Sequence, residues 1–520
     1  MTRFLVVLVL GIILTDACRP RKAEEQSSLL NLPQETTNLT DEQLAKAYCG
    51  SCHLYTAPSL LDKKTWESKV LPEMGKRMGV IDDKFTLYSS MSEEELNMVL
   101  KENVFLDKPL MGEKDWKRLV AYYIKNAPEQ LAPQENKLPV ASKLSGFEVV
   151  IPKFAKNSPT NTTMLKFNPM AKQLWVGQRS GKGYLIDKTL TAVDSVNFGD
   201  TPSDVAFMPD GSLWALLMGV MDPSDRREGK LVQFSGAKWS ERKVLTQQLP
   251  RPVQLSVANL TGDDKAEAII AGYGNYTGHL TWFLFPARDR EVPHILKNVS
   301  GAIRTITQDF DHDGDTDIMA LFAQGNEQIV LYTNEGQERF SEKQLLQFSP
   351  VYGSSYFELA DFNQDGHLDI VYTNGDNADY SPILKPYHGV RVFLNDGKFN
   401  FKQAFFFPIH GAFKSIADDF DQDGDLDIAS IAYFPDEENG AKESFVYLEN
   451  KGNLRYEAAT FPQADVGRWL VMEKGDFDQD GDVDIALGSF IHERTIGGSA
   501  YRQRQWSSGI HVLILKNKKK

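Results

Sequence analysis

The sequence predicts a multidomain protein in which a small all-α domain is followed by an all-β seven-bladed propeller. The chain of 520 residues is too long for one compact core of ordinary size. Its hydrophobic content of 42% and its aromatic content of 11% exclude wholesale disorder. Residues 41–55 and 115–126 have helical patterns. From about residue 146 the pattern changes to short strands with Gly, Asp and Asn turns, and an acidic decapeptide recurs there.

The first residues have the pattern of a sorting signal. Arg3 precedes an apolar run over residues 4–14 that is too short to span a bilayer, so residues 1–17 are predicted to be a signal peptide. The residues before Cys18 resemble a bacterial lipobox, which implies that Cys18 is lipidated; plain secretion is the alternative. Residues 18–38 would then be a lipidated tether. We expect a bacterial cell-envelope protein, facing the periplasm or in the outer membrane, whose lipid anchor is its only membrane contact.

The motif Cys49-Gly-Ser-Cys52-His53 holds both cysteines that remain after Cys18. Four interpretations compete: a disulfide, a redox-active pair, half of a zinc site, and the attachment site of a c-type haem. Structural zinc needs four ligands, and the sequence has no second CxxC. A redox pair normally follows a strand, whereas the flanking residues here are helical in pattern. A haem would use all three residues, since each thiol binds one vinyl group and His53 coordinates the iron.

The second axial ligand of an electron-transfer haem is commonly Met or His, and no His lies between His53 and His279. The methionines that follow the motif are Met74, Met78, Met91, Met98 and Met111. With Trp66 and the final predicted helix, these features resemble a class I c-type cytochrome domain over residues 39–130. The resemblance implies one covalent haem c with Met74 as sixth ligand, Met78 being the alternative. Residues 131–145 are predicted to be a linker.

The acidic decapeptide recurs with a period of about fifty residues, which indicates a repeat-built fold. Side-chain ligands at alternate positions, with Gly at the sixth, are typical of calcium loops, and the missing Glu at position twelve excludes EF-hands. We therefore predict about four calcium ions. The candidate ligands are Asp309, Asp311, Asp313, Asp315, Asp317, Asp361, Asn363, Asp365, His367, Asp369, Asp419, Asp421, Asp423, Asp425, Asp427, Asp476, Asp478, Asp480, Asp482 and Asp484. A degenerate copy at Asn259 either binds weakly or only turns the chain. The net charge of -14 argues against nucleic acid as a partner.

These loops resemble the FG-GAP or VCBS repeats of integrin-α-type β-propellers. The resemblance implies four strands per blade over residues 146–520, with each metal loop joining the first strand to the second. Residues 162–187 and 202–220 have the pattern of two further blades without an acidic loop, which brings the count to seven. Residues 147–154 have the pattern of a fourth strand that would complete the last blade and close the ring.

The propeller face opposite the metal loops would carry any ligand site. Its longest connection between second and third strands is predicted at residues 373–390, and long loops on rigid scaffolds often carry function. A polar ring is expected at the channel mouth, either to bind a small molecule or glycan or only to solvate the rim. The catalytic candidates are Asp376, Asp379, Tyr380, Lys385, His388, Arg304, Lys414 and Arg468, with Gln254, Tyr356, Asn377, His410 and Trp469 nearby.

Three functions fit these predictions. The first is an envelope-anchored monohaem electron-transfer protein whose calcium-binding propeller binds a redox partner protein or a substrate. The second is a periplasmic dehydrogenase that oxidises a sugar or alcohol on the propeller face, with haem c as electron acceptor. The third is an adhesion or carbohydrate-recognition propeller. The sequence has no G-x-S-x-G, HExxH or phosphate-loop motif, so whether the protein is an enzyme stays open.

Overall fold

The computed structural model describes residues 36–80, 89, 91–135, 137–154, 160–263, 265–285, 291–378, 380–439, 441–492 and 500–518. The predicted signal peptide, Cys18 and nearly all of the predicted tether lie outside these ranges. No helix among the residues described has both the length and the apolar character needed to cross a membrane.

A helical unit over residues 41–126 begins with helix α1, Asp41–Cys49. Thr40 caps α1 because its hydroxyl accepts the N–H of Gln43, while the Gln43 side chain accepts the N–H of Thr40. The following elements are the 3-10 turn Pro58–Leu60, α2 Lys63–Thr65, the π-helical turn Trp66–Val70, α3 Leu71–Arg77, α4 Glu93–Lys101 and α5 Glu113–Asn126. The helix predicted over residues 115–126 is therefore confirmed and begins slightly earlier, at Glu113.

The core of the helical unit forms where α1 meets α5. The Trp66 and Tyr123 rings pack with centroids 4.5 Å apart. Both also hold the loop after the CxxCH motif: the Trp66 indole N–H donates to the Pro58 carbonyl at 2.8 Å, and the Tyr123 hydroxyl donates to the Thr56 carbonyl at 2.8 Å. These buried bonds fix the course of the chain from Cys52 to the 3-10 turn.

Seven four-stranded antiparallel blades form the propeller. Blade 1 consists of β3 Thr162–Asn168, β4 Gln173–Gln178, β5 Lys182–Ile186 and β6 Ala192–Asn197. Blade 2 consists of β7 Pro202–Phe207, β8 Leu213–Leu217, β9 Gly229–Ser235 and β10 Glu241–Leu249. Blade 3 consists of β11 Pro252–Ala258, β12 Glu267–Gly272, β13 His279–Leu284 and β14 Val292–Lys297. The two blades predicted without an acidic loop are thus confirmed as blades 1 and 2.

The four aspartate loops belong to blades 4 to 7. Blade 4 consists of β15 Ala302–Gln308, β16 Asp317–Phe322, β17 Gln328–Asn334 and β18 Phe340–Gln347. Blade 5 consists of β19 Ser354–Ala360, β20 Asp369–Asn374, β21 Gly389–Asn395 and β22 Phe401–Pro408. Blade 6 consists of β23 Ala412–Asp418, β24 Asp427–Ala432, β25 Phe445–Asn450 and β26 Tyr456–Ala459, and blade 7 has β27 Trp469–Gly475, β28 Asp484–Ser489 and β29 Val512–Asn517.

The ring is closed by a strand from before blade 1. Strand β2, Phe147–Val150, pairs antiparallel with β29 and supplies the fourth strand of blade 7, which confirms the predicted closure. Two residues of the predicted linker form β1, Val140–Ala141, which adds a parallel fifth strand to blade 6. The segment that joins the helical unit to blade 1 is therefore anchored on two blades.

One loop prediction was wrong. The longest connection between second and third strands is not at residues 373–390 but in blade 7, between β28 and β29, and it contains helix α6, Ala500–Ser508. The polar composition of α6, AYRQRQWSS, lacks an apolar periodicity that would have identified it as a helix. In the part of α6 that is described, Gln505 is buried and donates to the Gly467 carbonyl at 2.7 Å.

Candidate functional site

The four aspartate loops share one backbone conformation. Each joins the first strand of its blade to the second, as predicted. The residue at position four has φ near +60°, and the glycine at position six has φ between +86° and +100°, in the left-handed region that favours glycine. These glycines are Gly314, Gly366, Gly424 and Gly481. Nothing lies within 4 Å of a Cβ built on any of them, so the conformation, not crowding, requires glycine.

The aspartate at position nine fastens each loop to the third strand of its blade. In blade 4, Asp317 is fully buried, and its carboxylate accepts the N–H of Phe310 and the N–H of Asn334, both at 2.8 Å. Its counterparts are also fully buried and accept the N–H of the matching asparagine; they are Asp369, Asp427 and Asp484. The ninth position is therefore structural whether or not it also binds a cation.

Three of the loops gather carboxylates closely enough to hold a metal ion, with ligand atoms within 4.8 Å of one another. The clusters are Asp309 with Asp311 and Asp317, Asp419 with Asp421 and Asp423, and Asp476 with Asp478 and Asp480. Burial, together with the neighbouring aspartates, raises the pKa of both Asp427 and Asp484 to about 7. Asp478 and Asp482 each have a buried carboxylate oxygen without a hydrogen-bond partner among the described residues. A hard cation fits this donor set.

The loop of blade 5 is less acidic. Asn363 takes the third position, and its side-chain amide donates to Asp365 at 2.9 Å. His367 takes the seventh position and lies so close to Gly397 that a Cβ there would be 2.5 Å from its Nε2 atom. Asp361 still accepts the N–H of Gly366 at 2.8 Å, as in the other loops. The turn is thus kept while the carboxylate charge is lower.

Lysines enter two of the five loops. In blade 7 the Lys516 ammonium contacts the Asp478 carboxylate and lies 3.3 Å from Asp480. In the degenerate loop of blade 3, Lys265 lies 2.5 Å from Asp263. At the position of Lys516, just before the asparagine that pairs with the ninth aspartate, blades 4 to 6 have Thr333, Leu394 and Glu449. In these two loops a lysine of the chain itself therefore neutralises part of the carboxylate charge.

The helical unit lies on the propeller face opposite the aspartate loops. Ser224, in the connection between β8 and β9, donates to Glu95 at 2.7 Å. Tyr387, in the connection between β20 and β21, donates to the Leu60 carbonyl at 2.9 Å. Asn298, between blades 3 and 4, donates to Glu102 at 2.8 Å. All these propeller residues lie in connections that, unlike the metal loops, join second to third strands or successive blades.

Aromatic residues of the propeller continue the core of the helical unit. Tyr352, Tyr380 and Tyr387 pack against the same cluster as Cys49 and Met74. On another side, the Arg77 guanidinium lies 5.4 Å from the centroid of the Tyr276 ring, and Phe105 packs edge-on to that ring at 5.3 Å. Connections of blades 3 to 5 thus pack against the helical unit, and Tyr352, Tyr380 and Tyr387 reach the cluster that contains Cys49. Tyr380 was among the predicted site residues, whereas the sequence offered no spacing from which Tyr276, Tyr352 and Tyr387 could have been identified.

The CxxCH motif straddles the end of α1. The thiols of Cys49, half-buried, and Cys52, exposed, are not joined to each other. Burial raises the pKa of the Cys49 thiol to about 11. The His53 Nδ1 atom lies 3.0 Å from the Leu54 carbonyl oxygen, and burial lowers the pKa of its half-buried imidazole. A carbonyl partner at one ring nitrogen is the usual second-shell arrangement of a histidine that binds metal through the other.

Four of the five methionines have contacts that distinguish them. Met78 and Met111 are buried in the core of the helical unit. Met98 contacts the Arg227 guanidinium of blade 2, at 2.9 Å from Nε to Sδ. Met74, on α3, is half-buried and packs at the edge of the cluster that contains Cys49.

The connection between β20 and β21 buries several of the predicted mouth residues. Lys385 and His388 are each 1% exposed, and Lys385 donates to the Asn377 carbonyl oxygen at 2.6 Å. Both ring nitrogens of His388 are buried without a hydrogen-bond partner among the described residues. Asp376 is half-buried and accepts the N–H of Ala378 at 2.9 Å. Asp379 lies outside the described residues.

The central channel is lined by the first strands, each of which carries a β-bulge near its start. Beyond the bulge, Tyr356 lies between two cations: its ring centroid is 4.2 Å from the Arg304 guanidinium and 4.7 Å from the Lys414 ammonium. Burial lowers the pKa of Lys414 to about 8. Gln254 accepts the N–H of Thr305 at 3.0 Å. The residues predicted to form one polar ring at the mouth are therefore divided between this channel group and the separate buried group around His388.

Of the junction residues, Arg468 is buried and donates to the Tyr433 carbonyl at 3.1 Å, with its guanidinium 4.4 Å from the Tyr433 ring centroid. Trp469 does not belong to the mouth, because it is fully buried in the core between blades 6 and 7 and donates to the Ala464 carbonyl. His410 lies between blades 5 and 6. Arg391, which the sequence analysis did not single out, is 5% exposed and donates to the Tyr387 carbonyl at 2.8 Å.

Comparisons with known proteins agree with the repeat assignment. The family model described as FG-GAP-like repeat matches residues 309–372 and 419–487, two stretches that contain all four aspartate loops. No curated protein matches the chain.

Similar solved structures include the Neurospora crassa Pan2 WD40 domain, with 14% identity, a TM-score of 0.43 and coverage of 74% of this chain and 98% of that chain. The Myceliophteria thermophila Cps50 (Swd1) β-propeller domain has 10% identity, a TM-score of 0.42 and coverage of 70% and 98%. BBS1N in complex with ARL6DN has 10% identity, a TM-score of 0.43 and coverage of 73% and 99%. From its own strands and the family match, the chain contains a seven-bladed β-propeller with FG-GAP-like repeats.

Proposed function

We propose that the protein is an electron-transfer protein with one covalent haem c, whose helical unit stands on the ligand-binding face of a calcium-binding propeller. The observation that carries the proposal is the CxxCH motif at the end of α1, with both thiols unbonded and the His53 Nδ1 atom on a backbone carbonyl. A bound haem c would supply one-electron oxidation and reduction.

The residues present fit a haem. Cys49 and Cys52 would hold it covalently, and His53 would bind the iron through Nε2. Met74 is the best sixth ligand because Met78 and Met111 are buried in core packing and Met98 contacts Arg227. Aromatic residues cover the side of the motif that carries Cys49, and burial of a haem is one of the means by which proteins set its potential.

The position of the helical unit supports one class of partner over another. An electron carrier that serves only soluble partners needs an open haem edge, whereas here Tyr352, Tyr380 and Tyr387 of blades 4 to 5 pack against the end that carries Cys49. This arrangement supports an electron path between the helical unit and something bound at the same propeller face. A redox partner protein of the cell envelope would then dock beside the helical unit and the propeller rim.

The second candidate function is oxidation of a small molecule on that face, with the haem as electron acceptor. It is favoured by the short link between the two units: Tyr387 donates to Leu60 of the helical unit, and the next residue is His388. A two-electron oxidation delivered to a one-electron centre also needs a second acceptor, and no motif for one is visible in the sequence. The third candidate, an adhesion or carbohydrate-recognition propeller, draws its support from the FG-GAP-like repeats.

One experiment tests the haem. The full chain is produced in a bacterial host with cytochrome c assembly, and the dithionite-reduced spectrum and the intact mass are measured. We expect c-type absorption bands and one added porphyrin mass, both lost in Cys49→Ser with Cys52→Ser. The variant Met74→Ala should keep the added mass but change the axial ligation of the iron. The variant Met78→Ala should keep both the added mass and the axial ligation. Wild-type protein without added porphyrin mass overturns the proposal.

The same holoprotein separates the first two functions. Oxidised protein is mixed with a panel of sugars and alcohols, and reduction of the haem bands is followed. Haem reduction by one of them would favour the dehydrogenase, and its absence across the panel would favour the electron carrier.

The calcium and anchor assignments are also proposals. The aspartate loops would bind up to four calcium ions, supported by the carboxylate clusters and the left-handed glycines. Lipidation of Cys18 would place the protein in the cell envelope, and radiolabelled palmitate should enter wild-type protein but not Cys18→Ala. Equal labelling of both proteins would overturn the anchor.

A further inference from the structure

A cleft of about 310 Å³ lies between the outer strands of blades 3 and 4. Blade 3 lines it with residues of β13 and β14, and blade 4 lines it with residues of β17, β18 and the turn between these two strands. The volume lies at the lower end of the range for ligand sites in proteins, so the cleft suits one small chemical unit. The lining residues that decide its chemistry are Trp282, His294, Tyr332, Glu338, Phe340 and Glu342.

Two polar atoms of the lining, the Tyr332 hydroxyl and the His294 Nε2 atom, are buried without a hydrogen-bond partner among the described residues. Tyr332 is 2% exposed. Burial and the nearby Glu342 carboxylate raise the pKa of its hydroxyl, although the two side chains lack the distance or alignment of a hydrogen bond. The Glu338 carboxylate lies 3.7 Å from His294 Nε2, beyond hydrogen-bond distance. Buried polar atoms nearly always have a partner, so these two indicate a group that binds in the cleft.

The polar lining is particular to blade 4 and is not required by the blade fold. Tyr332 pairs with the residue that follows the ninth aspartate of its loop, and on its other side it pairs with Glu342. Glu338 lies in the turn where blades 5 and 6 have Phe399 and Leu454, which pack against hydrophobic clusters. The pairs in the register of Tyr332 and Glu342 in blades 3, 5, 6 and 7 are Phe283 with Pro293, Phe393 with Gln403, Leu448 with Ala458, and Leu515 with Val149.

The unfilled groups match a ligand that carries hydroxyls. The Tyr332 hydroxyl can donate and the Glu338 carboxylate can accept, while His294 Nε2 can do either according to its tautomer. A ligand hydroxyl accepts one hydrogen bond while it donates another, so it can join a phenol to a carboxylate. Glu342 is ion-paired with Lys297, and a neutral ligand needs no net charge in the cleft.

The cleft also offers ring surface to the apolar side of such a ligand. His294 is stacked on Trp282 through one face, with ring centroids 4.1 Å apart and an interplanar angle of 12°. Its side chain is 25% exposed, and the partly exposed Phe340 ring also lines the cleft. Aromatic rings beside hydrogen-bonding groups suit a molecule that has C–H faces and a hydroxylated edge.

We propose that the cleft between blades 3 and 4 binds one saccharide unit, with Tyr332, Glu338 and His294 as its hydrogen-bonding residues and Phe340 beside its C–H face. The site goes beyond the electron-transfer proposal and does not depend on it. It gives the third candidate function, carbohydrate recognition, a location apart from the connections that contact the helical unit. The saccharide would be a free sugar or one unit of a glycan chain.

The test uses the full chain and ligand-observed saturation-transfer NMR, which detects weak binding to a large protein. The probes are the methyl glycosides of glucose, galactose, mannose and N-acetylglucosamine, and oligosaccharides of the same sugars. We expect saturable binding of at least one probe. Tighter binding of an oligosaccharide than of its methyl glycoside would identify a glycan chain as the source, and equal binding would identify a single sugar.

The variant Tyr332→Phe removes only the unpartnered hydroxyl. It should weaken binding of the effective probe by about three- to tenfold, the effect of one lost hydrogen bond. Its melting temperature without sugar should not fall, because that hydroxyl bonds to nothing in the described part of the protein. The matched control is Tyr456→Phe in blade 6, which also removes a buried hydroxyl without a partner among the described residues but does not line the cleft. It should bind the sugar as wild type does.

Several results would overturn the site. They are the absence of saturable binding by every probe, wild-type affinity in Tyr332→Phe, and a melting temperature of Tyr332→Phe well below that of Tyr456→Phe. Tetramethylammonium serves as a cationic probe, and its binding in place of every sugar would overturn the saccharide as ligand. The variant Cys49→Ser with Cys52→Ser should bind the sugar as wild type does, so loss of the haem proposal and loss of this site are distinguishable.

Discussion

The loops of blades 3 and 4 build a similar turn with different amounts of negative charge. In both, the ninth residue accepts the N–H of the second: Glu267 from Leu260 at 2.7 Å, and Asp317 from Phe310 at 2.8 Å. In blade 3 the cation is Lys265 on Asp263, whereas blade 4 gathers three carboxylates with no lysine in contact among the described residues. The comparison teaches that backbone bonds shape the loop, while its side chains decide whether it needs an ion.

The strongest test of this comparison is removal of calcium. We expect chelation to lower the melting temperature, since each site adds about 4 kcal/mol when free calcium is about a thousand times the dissociation constant. Calorimetry with and without chelator measures the change, and hydrogen exchange should show the loss in blades 4, 6 and 7, which hold the carboxylate clusters, and not in blade 3. An unchanged melt would mean that the clustered carboxylates have no structural ion.

The second test removes one carboxylate from each loop. Asp311→Asn in blade 4 should weaken one calcium site by about tenfold or more, because calcium affinity follows the number of charged ligands. Asp263→Asn in blade 3 should leave the number of bound ions unchanged. Equilibrium dialysis counts the ions, and equal effects of the two substitutions would erase the distinction between the blades.

The third test concerns the backbone alone. Gly314 in blade 4 and Gly262 in blade 3 have φ of +99° and +73°, and neither has an atom within 4 Å of a built Cβ. Gly314→Ala and Gly262→Ala should each destabilise calcium-free protein by about 1–2 kcal/mol, the cost of a left-handed conformation for alanine. The two glycines take different positions, since Gly314 is sixth in its loop and Gly262 is fourth, where blade 4 has His312 with φ of +65°. Denaturant unfolding measures both costs, and a negligible cost in either loop would show that its turn does not need glycine.

The smallest effect is expected in blade 7, where the Lys516 ammonium group and a bound calcium ion would compete for the same carboxylates. Lys516→Met should tighten calcium binding at that loop by up to about fivefold, since a partly exposed ion pair contributes at most about 1 kcal/mol. Lys265→Met in blade 3 is the matched control and should create no site, because Asn259 and Thr261 replace aspartates there. Calcium titration calorimetry compares the two, and a new site in the control would contradict the charge argument.

Regular patterns made much of the propeller predictable. The recurring decapeptide identified blades 4 to 7, and the alternating residues 147–154 led to the closing strand β2. The contact of Lys516 with Asp478 was not predictable, because it depends on the register of β29 and not on any spacing along the chain. Helix α6 was missed for want of an apolar face.

The candidate site was predicted as a list of residues and not as an arrangement. Lys385 and His388 were chosen because they lie in a long polar loop, yet that loop is covered by the helical unit and buries them. Sequence separation hides such packing: Tyr387 and Leu60 are hydrogen-bonded although hundreds of residues lie between them. Trp469, chosen as a mouth residue, is core because β27 begins there.

The pairing of β2 with β29 also constrains when the propeller can close during synthesis. During synthesis β2 leaves the ribosome before blade 1, but its partner emerges only after all six other blades. Until then the blades can form only an open arc, with an unsatisfied strand edge at each end. Ring closure can therefore occur only after β29 has been synthesised.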